Sequence, residues 1–180
     1  MAETKTNENV RVLVEVALLI AMSLVLGEVK LFKMPMGGSV HPAAMLPLVL
    51  IGLRHDTKWG LLGCFAYSIL HMIIGGFEGL TLWSVLLDYI LAYTFIGLTG
   101  LFKGRKNALW IAMPFAALVR FIFSFIAGVT IYAEYAPEGS NVWLYSFTYQ
   151  ASYLLPELIL MFIVAFAMRL AWPRILESEV

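Results

Sequence analysis

One cysteine, Cys64, is all the thiol chemistry the chain has. No intrachain disulfide can form, and a lone thiol inside an apolar run reads as a packed membrane residue, not as part of a metal site. Charge is equally scarce. Only 13% of residues are Asp, Glu, Lys or Arg and the formal net charge is zero, so nothing in the balance favours nucleic acid. Catalytic patterns are missing too: there is no Gly-x-x-x-x-Gly-Lys-Ser/Thr loop for ATP, no His-Glu-x-x-His and no Gly-x-Ser-x-Gly. No second aspartate stands where it could share a proton with Asp88. The hydrophilic loops are too short for an external catalytic domain, so an enzyme is not expected. The first ten residues are polar and partly acidic, without a small-residue cleavage site, and do not read as a removable signal peptide.

What the chain has instead is apolar side chain, 61% of its residues. A soluble domain of this length cannot hide that much, and lipid is the remaining sink. Stretches long enough to cross a hydrocarbon core of about 30 Å run at 12–29, 59–77, 79–102, 108–133 and 146–172. A shorter one, 43–53, covers only about 16 Å as a helix. Pro42 suits its first turn and Gly52 its end, which predicts a short second helix. The expected fold is all-α: one domain over 1–180, six helices in the membrane, a polar tail at 1–10 and an outer lid loop at 31–42. That loop is Gly/Pro-rich, and irregular backbone near a membrane must be covered by protein or line a wet cavity. No internal repeat is evident.

Placing both termini in the cytoplasm puts Lys5, Arg11, Arg54, Lys58, Lys103, Arg105, Lys106, Arg169 and Arg174 inside, against Lys30 and Lys33 outside. That is the positive-inside asymmetry, and it requires an even number of spans. The outer loops carry Glu78, Glu134 and Glu138.

Ionisable residues inside hydrocarbon are costly and mark function or helix contacts. Glu15 lies one turn from Arg11 and reads as an interfacial i,i+4 pair. Asp88 sits well inside its span, and Arg120 near the middle of another. Arg120, Ser124, Gly128 and Tyr132 are spaced by four and share one helical face that lipid would reject. The last helix crowds Tyr145, Tyr149 and Gln150 into its outer half, and the third carries Tyr67, Ser68 and His71. Together these predict an amphipathic pocket with aromatic walls, a carboxylate for a cation or amino group and an amide for a heterocycle edge. The competing reading is a plain bundle in which Asp88 pairs with Arg120 and the tyrosines form an interfacial belt. His71 reads as a helix contact, and Glu157, after Pro156, as a cap on carbonyls freed by the kink. Ala17 and Ala21, with Ser23 nearby, would let another helix approach the first one closely, or serve internal packing.

The runs MPMGGSV, LLDYILAYTFIGLTGLF and RFIFSFIAGVTIYAEYAPEGSNVWLYSFTYQASYLLP resemble the thiamine-specific S-component family of energy-coupling factor transporters, over nearly the whole chain. The resemblance implies a multi-pass protein of the bacterial cell membrane that binds thiamine with high affinity at its outer side. It implies a lid loop containing Gly38 and Ser39, and no cofactor. Its implied partners are a transmembrane coupling subunit, docked at Ala17 and Ala21, and two cytosolic ATPases that alone use ATP. By position, Asp88 and Tyr89 match the family's acidic–tyrosine pair, Arg120 a basic site position and Tyr132 an aromatic one. Tyr145 matches the pocket tyrosine and Tyr67 a wall aromatic. Ser124 stands where the family usually has histidine, and Gln150 where asparagine is common. Losing a stacking ring costs about 1–2 kcal/mol. An S component for a related heterocycle, an autonomous transporter and a structural scaffold are the alternative readings.

Overall fold

The computed structural model describes residues 2–34, 38–75, 81–137 and 139–171. The expectations for Glu78, Glu138 and Arg174, and for the middle of the lid loop, fall outside those residues. Among them are six helices: α1 (Ala2–Glu28), α2 (Leu46–Arg54), α3 (Thr57–Gly75), α4 (Leu82–Phe102), α5 (Ala108–Thr130) and α6 (Val142–Ala171). All but α2 are long and apolar enough to span a bilayer. Their outer faces present large apolar side chains such as Leu18, Met22, Leu118, Ile122, Ile159 and Ile163, the composition expected against lipid. The polar tail is no separate segment, because α1 reaches back to Ala2.

At nine residues α2 is about 14 Å long, and it is the most enclosed element. Leu46, Pro47, Leu48, Val49, Ile51, Gly52 and Leu53 are all buried, and α1, α3, α4 and α5 surround it. A helix that is apolar all round belongs in a core. It begins three residues later than its sequence predicts: Pro47, not Pro42, occupies the first turn, because Ala43 takes a left-handed conformation at φ 60° and breaks the run. Gly52 does not end it either. The glycine is retained inside the helix because a Cβ there would stand 2.6 Å from Gly100 N.

That close approach extends through three helices. A Cβ on Gly60 of α3 or Gly97 of α4 would run into the facing backbone, and Gly100 meets the start of α3 at Asp56 and Thr57. Small residues let membrane helices pack backbone to backbone, where there is no hydrophobic drive to bring them together. Buried hydroxyls add bonds between elements: Ser23 Oγ donates to Ala44 O at 2.6 Å and Thr99 Oγ1 to Val49 O at 3.3 Å. Ser23 therefore faces inward, away from the exposed Ala17 and Ala21.

The Glu15–Arg11 pair is present at 3.2 Å. Glu15 also reaches Arg54 Nη2 at 3.4 Å and His55 Nε2 at 3.3 Å, tying α1 to the end of α2. Burial holds His55 below the usual imidazole range, against the pull of Glu15. This cluster lies at the end of the bundle opposite the 31–42 loop. The loop itself is more regular than its composition suggests. Phe32–Lys33 (β1) and Ser39–Val40 (β2) pair antiparallel, Phe32 opposite Val40 and Lys33 opposite Ser39, as a short hairpin.

Candidate functional site

Beneath the hairpin lies a cavity of about 530 Å³, within the usual size of small-molecule sites. Seven of the eight tyrosines line it: Tyr89 and Tyr93 from α4, Tyr132 and Tyr135 after α5, and Tyr145, Tyr149 and Tyr153 from α6. The last three recur every fourth residue and so fall on one helical face. Tyr145 stacks on Tyr149 at 6.1 Å, and Tyr149 meets Tyr153 edge to face at 6.0 Å. Six of these rings are buried or half-buried against the cavity and Tyr135 is exposed at its edge, an arrangement that makes a wall more than an interfacial belt.

Asp88 lies on this wall beside Tyr89. Both stand in Val85–Leu91, a wide π-helical stretch within α4, and such stretches gather at functional sites because they re-aim side chains. The hydroxyls of Ser124 and Tyr132 face the Asp88 carboxylate. Arg120 does not pair with Asp88. Its Nη1 donates to Glu157 Oε2 at 3.3 Å, and its guanidinium lies 4.8 Å from the centroid of Tyr93. Glu157 is therefore a partner of Arg120 and not a cap on the Pro156 kink.

Gln150 reaches the cavity with its amide already engaged. Nε2 donates to Ser124 O at 2.9 Å, while Oε1 accepts from the Tyr153 hydroxyl. One N–H and one lone pair remain for a ligand. Gly128 is the gap on the Arg120 face, and Ser146 of α6 fills it; a Cβ there would collide with Ser146 Oγ.

The hairpin closes over these groups. The Gly38 N–H donates to Tyr149 Oη at 3.1 Å, and Ser39 Oγ lies 2.7 Å from His41 Nε2. Gly38 rests on the ring of Tyr153. His41 is buried beneath the hairpin, and burial, with the Arg120 charge adding, pulls its pKa down to about 4. It is neutral at pH 7 and adds no repulsion toward a cation. Glu28, Lys30 and Lys33 stand around the rim.

Of the sequence-predicted residues, Asp88, Tyr89, Arg120, Tyr132, Tyr145, Tyr149, Gln150, Gly38 and Ser39 converge on the cavity. Two stand behind its wall. Tyr67 is 2% exposed and stacks on His71 at 5.4 Å, so His71 presents the inner surface and Tyr67 supports it. Ser124 is buried between α5 and α6, where its backbone carbonyl holds Gln150. Sequence reasoning missed Tyr93 and Tyr153, and with them Tyr135 and His41. The i,i+4 spacing of Tyr89 with Tyr93, and of Tyr149 with Tyr153, carries the first two; no comparable signal marks His41.

A family model described as "Thiamine transporter protein (Thia_YuaJ)" matches residues 13–177. Thiamine transporter ThiT of Bacillus subtilis is 32% identical, covering 93% of this chain and 94% of that protein. Thiamine transporter ThiT of Lacticaseibacillus paracasei is 25% identical over 75% of each. In three dimensions, ThiT from Listeria monocytogenes superposes with a TM-score of 0.82, covering 93% of this chain and 97% of the other. At 21% identity that likeness speaks for the fold alone. The chain is a multi-pass bacterial membrane protein and not an enzyme.

Proposed function

The chain belongs to the thiamine transporter protein family, and on that premise we propose that it captures thiamine in the tyrosine-walled cavity. The observation that carries this reading is a carboxylate, Asp88, in a cavity lined by seven tyrosines beneath the hairpin. Thiamine offers a permanently cationic ring and a flat aminopyrimidine. Tyrosine faces attract the cation and stack the heterocycle, and Asp88 supplies the opposite charge. Gln150, with one donor and one acceptor left, reads the pyrimidine edge, and the Ser124 hydroxyl orients Asp88. Arg120 forms part of the cavity floor.

The same reading makes the chain the high-affinity S component of an energy-coupling factor importer. The cavity faces outward, both termini lie in the cytoplasm, and the hairpin is the lid. Ala17 and Ala21 are exposed along α1 among lipid-facing side chains, a surface of small residues that a coupling-subunit helix can approach. Two ATPases bound to that subunit supply the energy.

Calorimetric titration of the purified chain with thiamine tests the binding. The reading predicts saturable binding below micromolar thiamine by folded protein, and no heat from folded protein at that concentration would refute it. Competition with the separate pyrimidine and thiazole halves distinguishes thiamine from a related heterocycle. Uptake by liposomes lacking the ATPases would show an autonomous transporter instead.

A further inference from the structure

Glu157 shares a face of α6 with Gln150 and Tyr153, seven and four residues ahead of it, but lies beyond the cavity. It is completely buried, and its only hydrogen bond among the described residues runs from Arg120 Nη1, at 3.3 Å. Its other oxygen, Oε1, is buried with no partner among those residues. A carboxylate buried this fully inside a membrane-spanning helix, with one oxygen unpartnered among the described residues, is costly. Arg120 is 12% exposed and lines the cavity floor, held between Glu157 on one side and the ring of Tyr93 on the other.

We propose that Glu157 is a positioning residue that sets the ligand charge the cavity accepts, by neutralising Arg120 and holding its guanidinium back from the ligand. With the pair intact, the floor contributes no net charge and Asp88 governs the interior. Remove the Glu157 charge and the interior becomes one unit more positive. This holds whether the freed guanidinium stays against Tyr93 or swings toward Asp88. The rim charges of Glu28, Lys30 and Lys33 are closer to water and more strongly screened. This inference rests on the thiamine reading and adds to it a determinant of charge selectivity that never touches the ligand.

The test compares two ligands of one shape: thiamine, and the neutral analogue in which a thiophene replaces the thiazolium. Both are titrated into the purified full chain, wild type, Glu157→Gln and the double variant Arg120→Gln/Glu157→Gln. Glu157→Gln is expected to lower the ratio of thiamine to analogue affinity about tenfold or more, the scale of one nearby charge in a half-dry site. The double variant restores the ratio to within about threefold of wild type, whatever happens to each affinity alone. If both affinities fall in parallel in Glu157→Gln, the residue serves stability only and the proposal is overturned. Should Glu157→Gln not fold, the double variant decides: the wild-type ratio upholds the pairing, and a ratio more than about tenfold away refutes it. A wild-type chain that binds neither ligand would instead overturn the thiamine reading.

Discussion

Gly38→Ala asks whether the hairpin shuts the cavity by direct contact with α6. A Cβ at this position would lie 2.7 Å from Tyr153 Cδ1 and 2.8 Å from Cε1. That is about 1 Å inside ordinary carbon–carbon contact. Tyr153 has little room to yield, because its hydroxyl is tied to Gln150 Oε1 and Tyr149 stands edge-on beside it. Gly38 is not among the positive-φ glycines, so the penalty is steric and not conformational. Overpacking of this kind costs about 1–3 kcal/mol. It falls on the closed state alone, because an open hairpin leaves Tyr153 behind. Release of bound thiamine should then accelerate about 5- to 150-fold, with little change in thermal stability. Stopped-flow tryptophan fluorescence after dilution of the complex reads that rate directly. A release rate within about twofold of wild type would mean that the hairpin does not hold the ligand in.

Three further expectations follow from the same geometry. Asp88→Asn keeps the shape of the side chain and removes its charge; a charge-assisted contact of about 1.5–3 kcal/mol predicts a rise in the thiamine Kd of about 10- to 150-fold by calorimetry, with the melting temperature nearly unchanged. Gly97→Ala drives a methyl into the backbone of α3 at Gly60, so it should cost about 1–3 kcal/mol or more of stability and appear as a lower melting temperature in detergent, whereas Gly139→Ala, in an open loop with nothing within 4 Å, should show only the smaller strain of its left-handed backbone. His41 has a pKa of about 4 in the closed hairpin against 6.5 ordinarily, so its contribution to closure is complete above about pH 6.5 and is lost as the pH falls toward 4. Thiamine release should quicken over that window in wild type and less so in His41→Gln; identical pH profiles would contradict this.

The spans were legible because hydrocarbon enforces one rule, a run of apolar residues of fixed length. The interior of the site was legible in part for the complementary reason: Asp88, Arg120 and Gln150 are groups that lipid will not accept. What could not be read was which polar group meets which. Asp88 and Arg120 were natural partners by charge, yet the guanidinium points to Glu157, because the offset between α5 and α6 sets that distance and no spacing within one helix encodes it. α2 starts beyond the point its sequence suggests because Pro42 is a plausible first-turn residue, whereas the left-handed backbone of Ala43 beside it is one that alanine does not signal. Tyr67 looked like a wall residue by its face on α3, and only the depth of the stack with His71 puts it one layer back. The glycine contacts among α2, α3 and α4 likewise lie between segments far apart in sequence, where no single-helix pattern reports them.

An experimental structure of the chain bound to thiamine would show which groups hold the ligand. The cationic ring should lie within about 6 Å of a tyrosine face, with Asp88 against its charge or the pyrimidine amino group and the hairpin closed above. A ligand seated elsewhere, or a cavity filled by lipid with Asp88 turned away from the bound molecule, would mean that the tyrosine-walled cavity is not the thiamine site.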